Sequence, residues 1–267
     1  MISPIVKADM VKIDSMKQVQ EKIDAILQPY QRDKCLLAFD IDMTLVVPNH
    51  PAAFFPNIKK YHDIMKECFL GLDSEQLDVV LNLLVLNLPQ KVIEEDASKI
   101  IAQYQQQGIK TIAFTACLSG KLGEVDRIEQ VRYETLKSLG FSFSKTFPAI
   151  QDETLEDIPQ YRSHHPVFYK GILVSNGERG ISCKGRTLIS FLNKFHFSPQ
   201  VIVLVDDKRK NLEDVERALK DYNNSIRFVG IEYTKGLSFE EGAISETAFR
   251  AFWSDLTMKS KKITLPK

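Results

Sequence analysis

Two acids two residues apart, a hydroxyl, a lysine and a second acid pair have the types and spacing to do chemistry: Asp40 with Asp42, Thr115, Lys184, and Asp206 with Asp207. The first pair follows Leu36-Leu37-Ala38-Phe39, a short run that is apolar on both alternating faces and so suits a central parallel strand. Two carboxylates where such a strand ends are too costly to bury unpaired. They need a cation, a hydrogen-bonded loop or a chemical task. Ordinary turn chemistry competes, because Asp also makes Asx-turns and caps helices. Thr115 closes a second apolar run, and its hydroxyl can donate to a phosphate oxygen beside backbone N–H groups. It also suits a plain strand residue or an N-cap. Lys184 opens a helical pattern, where an ammonium opposes the macrodipole. That placement makes sense when an anion sits between the helix amides and the lysine. Asp206 and Asp207 end Val201-Ile202-Val203-Leu204-Val205, the most strand-like run in the chain.

The elements that must hold these residues read as alternating strands and helices. Residues 9–29 carry apolar side chains at three- and four-residue steps and predict one amphipathic helix. Helices are expected over 94–107, 126–139, 183–195, 211–222 and 246–258. Strands are expected over 36–39, 109–114, 141–147, 201–205 and 226–233, with a strand or hairpin over 167–175 and a polar, proline-punctuated surface loop over 148–166. The alternation predicts an α/β fold, a doubly wound parallel sheet. Ligands of such sheets sit outside the carboxyl ends of the strands, so Asp40, Thr115 and Asp206 are expected to share one edge. Between Pro48 and Pro89 the composition shifts to clustered prolines, Phe54 and Phe55, and helical patterns over 58–70 and 74–88. The organisation expected is an N-terminal helix (1–33) packed on a core (34–47 and 90–267), with a small helical cap inserted at 48–89. Phe54 and Phe55 either line a pocket for an apolar substrate group or serve the insert's own packing. His164 and His165 are adjacent, so on a strand they point to opposite faces and make a poor metal pair.

Lysine plus arginine and aspartate plus glutamate each number 35, so the formal net charge is zero. Bulk electrostatics therefore gives no case for nucleic acid or an anionic membrane as partner. The 44% hydrophobic and 26% charged content is that of an ordinary soluble domain. The four cysteines lack a C-x-x-C spacing, which argues against a zinc knuckle or thioredoxin-type motif. None has an arginine six places on, as a cysteine phosphatase would need. The richest apolar stretch, 79–88, is interrupted by Asn82 and Asn87 and is too short to span a bilayer. Residues 1–15 lack an apolar core of signal-peptide length. A cytoplasmic or otherwise soluble location is expected.

In chain order, Asp40-x-Asp42-x-Thr44, Thr115, Lys184 and Asp206-Asp207 resemble the four motifs of the haloacid dehalogenase (HAD) superfamily over about residues 34 to 233. The pattern around Lys184-Gly185 and Val205-Asp206-Asp207 is similar to a small HAD-type subgroup of intracellular bacteria. The resemblance implies a HAD-like Rossmannoid core and a Mg²⁺-dependent phosphatase. Asp40 would be the nucleophile that forms an aspartyl-phosphate, and Asp42 the general acid and then base. Thr115 and Lys184 would bind phosphoryl oxygens. Asp40, the Asp42 carbonyl and Asp206 would hold Mg²⁺, with Asp207 as a ligand or an orienting neighbour. Met43 departs from the pattern, where a small or polar residue is common. Asp42 favours phosphoryl transfer, since the superfamily's dehalogenases lack an acid there. The substrate is a phosphorylated small molecule or a phosphoprotein. A phosphomutase, or a non-catalytic binding protein that keeps the fold, fits the same residues. A receiver-type signalling module shares the residue types, but its acid pair precedes the nucleophile, and here the pair comes last.

Overall fold

The structure is a computed structural model that describes residues 9–177, 183–239 and 241–263. Its frame is an eight-stranded sheet flanked by helices. Strands are β1 (Asp9–Ile13), β2 (Cys35–Phe39), β3 (Val46–Pro48), β4 (Gln90–Val92), β5 (Lys110–Thr115), β6 (Asp152–Thr154), β7 (Val167–Tyr169), β8 (Ile172–Val174), β9 (Val201–Asp206) and β10 (Arg227–Tyr233). Helices are α1 (Met16–Leu27), α2 (Phe55–Lys60), α3 (His62–Cys68), α4 (Ser74–Asn87), α5 (Ala97–Gln106), α6 (Ile128–Ser138), α7 (Lys184–Lys194), α8 (Arg209–Tyr222) and α9 (Glu246–Lys261). The sheet runs β1-β10-β9-β2-β5-β8-β7-β6, with β3 and β4 forming a separate antiparallel pair. From β1 to β8 all pairings in the main sheet are parallel, and β7 and β6 add an antiparallel edge.

Strand alternation divides the apolar side chains between two faces. Leu37 and Phe39 of β2, with Val203 and Val205 of β9, pack with Val19 and Ile23 of α1 and Ile100 and Ile101 of α5. Leu36 and Ala38, with Ile202 and Leu204, pack with Leu188 and Phe191 of α7 and Leu212 and Val215 of α8. Helices thus cover both faces of a mostly parallel sheet, the doubly wound α/β arrangement expected from continuous apolar strands. No helix among the described residues is long and apolar enough to cross a membrane.

Four local expectations are corrected. The segment 9–29 is not one helix: residues 9–13 are β1, paired in parallel with β10 from Asp9↔Val229 to Ile13↔Tyr233. Met10 and Ile13 happen to fall at helical spacing, but Ser15 caps α1 through its hydroxyl and Gln18 N, which starts the helix only after the strand. Residues 141–147 form no strand, although Phe141 and Phe143 are buried; β8 takes the place beside β5 instead. The pattern over 58–70 splits into α2 and α3 at Tyr61, whose hydroxyl donates to the Ile244 carbonyl at 3.0 Å. The surface loop read at 148–166 contains β6, and buries Leu155 and Ile158. Part of the N-terminal segment 1–33, residues 1–8, lies outside the described residues.

The strands β3 and β4 form a stem, and between them lie a 3-10 turn at Pro51–Ala53 and the helices α2, α3 and α4. This insert shares an apolar cluster with α9: Val79, Val80 and Leu83 meet Phe249, Trp253 and Leu256. The buried Trp253 indole donates to the Ala52 carbonyl at 3.1 Å. The insert is therefore completed by the C-terminal helix, a partnership that local periodicity does not reveal.

Candidate active site

The pairing of β2 with β9, which sets Phe39 opposite Val205, brings the residues following both strands to one edge. Asp40 N donates to the Val205 carbonyl at 2.8 Å, so the acid leaves the sheet beside Asp206. The chain then turns sharply. Thr44, Leu45 and Val46 all direct their amides to the Ile41 carbonyl. Met43 takes φ +64°, and its carbonyl leaves no room for a side chain at position 236, where a Cβ would lie 2.1 Å away. Gly236 therefore allows the segment after β10 to back the acidic turn. The bulky Met43 side chain packs against the first apolar cluster.

Lys184 joins the acids. Its ammonium donates to Asp40 Oδ1 at 2.6 Å, to Asp206 Oδ2 at 2.6 Å and to the Phe114 carbonyl at 2.7 Å. It reaches them because α7 is anchored at its first turn. Gly185 N donates to Asp214 Oδ2 of α8 at 2.7 Å, and a Cβ at position 185 would stand 2.6 Å from the Asp214 carbonyl oxygen. Only glycine lets the helices approach that closely. Asp206 is fixed in turn: Lys208 N donates to Oδ1 at 2.8 Å, and the Asn211 amide donates to both oxygens, at 3.1 and 3.2 Å.

Asp40, Asp206 and Asp207 each offer a carboxylate oxygen, all within 4.8 Å of one another. Three acids around one ammonium leave an excess of negative charge. Burial pushes the Asp40 carboxyl up to about 7, against the pull of Lys184, and the Asp206 and Asp42 carboxylates add to the rise. Burial, with the Asp40 and Asp206 carboxylates beside it, raises Asp207 well above the usual carboxylate range. Burial acts to lower Lys184, but Asp206 and Asp40 outweigh it and keep the ammonium charged. Such a group of oxygens suits a hard divalent cation. Among the described residues, His164 and His165 belong to no such group. The His165 ring Nδ1 pairs with the Ile158 carbonyl, and His164 Nε2 accepts from Lys121 N.

Thr115 and Asp42 complete the edge. Thr115 Oγ1 donates to Asp42 Oδ2 at 3.4 Å and accepts from Cys117 N at 3.2 Å. Asp42 Oδ1 is held at 2.6 Å by Arg132 Nη2, from a guanidinium buried on α6. All six residues singled out by type and spacing thus lie at the carboxyl ends of β2, β5 and β9 or at the start of α7. Sequence reading missed Arg132 and Asn211. Both lie inside ordinary helical patterns, and no local signal marks them. Phe54 and Phe55 part company: Phe54 is buried edge-on to Phe239, ring centroids 5.2 Å apart, and Phe55 is exposed. The Phe54 ring thus packs into the core cluster of Leu37 and Phe39 and not within the insert. A cavity of about 370 Å³ between α7 and α8, lined by Cys183, Arg186, Ser190 and Asp214, contains none of the six residues.

Residues 12–258 match the model of a family described as "Protein of unknown function (DUF2608)", and the chain belongs to that family. It is similar to an uncharacterized protein of Rickettsia bellii, with 22% identity over 98% of this chain and 89% of the relative. An uncharacterized protein of Rickettsia typhi is 22% identical over 87% of this chain and 79% of its own length. One from Rickettsia prowazekii is 21% identical over 87% and 78%.

Proposed function

We propose that this protein is a HAD-type, Mg²⁺-dependent phosphatase that hydrolyses a phosphomonoester, on a small molecule or a protein, through a phosphorylated Asp40. The observation that carries the reading is the clustering of Asp40, Asp206 and Asp207 with the Lys184 ammonium hydrogen-bonded between the first two. It joins a nucleophile, a cation-binding oxygen set and a fixed positive charge at one strand edge. Mg²⁺ would be held by Asp40, the Asp42 carbonyl and Asp206, with Asp207 as ligand or orienting neighbour. Bound there, the cation would offset charge on the phosphoryl oxygens.

In the first half-reaction an Asp40 carboxylate oxygen attacks phosphorus. A P–O bond forms to Asp40 as the bond to the leaving oxygen breaks, and Asp42 gives that oxygen its proton. In the second, Asp42 takes a proton from water, which attacks the same phosphorus and releases Asp40 and phosphate. Lys184 and Thr115 steady the phosphoryl oxygens as their charge redistributes. An unpaired carboxylate nucleophile would repel an anionic ester, so a fixed cation beside it serves the chemistry directly.

A panel of phosphomonoesters, assayed for phosphate release with Mg²⁺ and with EDTA, tests the proposal. Turnover with Mg²⁺ that is lost in EDTA and in Asp40→Asn is the expected result. Unchanged turnover in Asp40→Asn overturns the assignment, and Mg²⁺ binding with no turnover across the panel favours a binding protein.

A further inference from the structure

We propose that Arg132 is a positioning residue for proton transfer by Asp42, fixing which carboxylate oxygen faces the leaving group; this rests on the phosphatase reading above. Arg132 lies one turn into α6, a helix whose start is tied to the loop after β5. Gly120 N donates to Glu129 Oε2 at 2.9 Å, and Arg127 Nε donates to Glu129 Oε1 at 2.7 Å. The Arg132 side chain is 1% exposed, whereas that of Asp42 is 34% exposed. The anchor is thus rigid, and the acid stands at the solvent edge with freedom to rotate unless held.

The pattern of bonds on the guanidinium points to the same role. An arginine carries five N–H donors, and a buried one is ordinarily satisfied by several acceptors. Here Nη2 has its 2.6 Å bond to Asp42 Oδ1, while the buried Nε and Nη1 have no hydrogen-bond partner among the described residues. Leaving buried donors unmet is unfavourable, and an apolar side chain of similar volume would fill the space at lower cost. Fold stability alone therefore explains Arg132 poorly. Its strong bond goes to the acid two residues beyond the nucleophile.

That bond occupies Oδ1. The second oxygen, Oδ2, is turned to Thr115 Oγ1 at 3.4 Å, a contact long enough to yield to a ligand. Oδ2 is thus the oxygen presented on the phosphoryl side, and it carries the proton given to the leaving oxygen. Without Arg132 the carboxylate turns freely, and its proton is placed correctly only part of the time.

Leaving-group dependence tests this in the full chain with Mg²⁺. The value of kcat/KM reports steps through the first phosphoryl transfer. An alkyl phosphate needs a proton at its leaving oxygen, whereas p-nitrophenyl phosphate scarcely does. Arg132→Met is expected to lower kcat/KM for β-glycerophosphate about 10- to 100-fold, less than the roughly 10²- to 10⁴-fold of a lost general acid because Asp42 itself remains. For p-nitrophenyl phosphate the fall is expected to be less than about threefold, since little proton donation is lost there. Arg132→Lys should recover part of the loss. In an Asp42→Asn background, Arg132→Met should cause no further fall on the alkyl ester, because the partner through which it acts is gone. Equal losses on both esters, or losses that add to those of Asp42→Asn, overturn the inference. If Arg132→Met does not fold, the same contrast is read in Arg132→Lys and Arg132→Gln. A wild-type protein that hydrolyses no phosphomonoester of the panel refutes the phosphatase reading and this inference with it; an alkyl and an aryl ester that it does turn over replace these two where they are not substrates. A wild type active on both, with no contrast in the variants, refutes this inference alone.

Discussion

Replacing Lys184 with methionine removes the charge at the centre of the acidic cluster and keeps most of the side-chain volume. The ammonium makes hydrogen bonds of 2.6, 2.6 and 2.7 Å to Asp40, Asp206 and the Phe114 carbonyl. Asp206 is fully buried and Asp40 nearly so, so the variant leaves their charge without its buried counter-ion. Breaking such a pair from one side costs about 3–5 kcal/mol. Protonation limits that cost, because Asp40 is already pushed up to about 7. The full loss is therefore expected at pH 8 and a smaller one at pH 5. Urea unfolding in EDTA, followed by circular dichroism, reads both. Mg²⁺ should return part of the loss at pH 8 by supplying the missing positive charge. A loss at pH 8 below about 1 kcal/mol, the size of an exposed pair, would refute the reasoning that the cluster depends on this ammonium.

The remaining predictions concern the same edge. The Asp40 carboxyl titrates at about 7 in the fold and near 4 when unfolded, so the folded state binds the extra proton between those values. Its contribution to stability is accordingly present at low pH and is lost as pH rises from about 4 through about 7. Urea unfolding of wild type in EDTA should show this fall, and Asp40→Asn should make it smaller, leaving the part that the raised Asp207 contributes; a pH dependence that the substitution leaves unchanged contradicts the assignment. Gly185→Ala would drive a Cβ to 2.6 Å from the Asp214 carbonyl oxygen. We expect a loss of about 1–3 kcal/mol in urea unfolding, as for other overpacked contacts, and a lower kcat because Lys184 moves with the helix. Wild-type kcat and stability in that variant would show that α7 does not need this close approach.

The site was more legible in the sequence than the elements around it. Asp40 and Asp206 each follow a run of apolar β-formers, and a strand buried on both faces writes itself as such a run. Parallel order then puts both exits on one edge, so local pattern was enough. Lys184 was legible because a lysine at the first position of a helix contradicts the dipole. Arg132 left no mark: its meaning comes from an acid 90 positions away across the fold. The segment 9–13 was misread because Met10 and Ile13 satisfy a helical period as well as a strand, and only β10 decides between them. Residues 141–147 alternate like a strand and bury Phe141 and Phe143, yet β8 holds the ladder position beside β5. The joint cluster of α9 and the insert depends on contacts such as Trp253 with Ala52, which no window along the chain contains.

The central claim, that Asp40 itself receives the phosphoryl group, is tested most directly in the Asp42→Asn variant. This variant keeps the nucleophile but lacks the base that activates water. Incubated with Mg²⁺ and p-nitrophenyl phosphate, quenched and reduced with borohydride, it should yield homoserine at position 40 on peptide mass spectrometry. Release of p-nitrophenol with residue 40 still aspartate, or with the adduct on another side chain, would contradict the account.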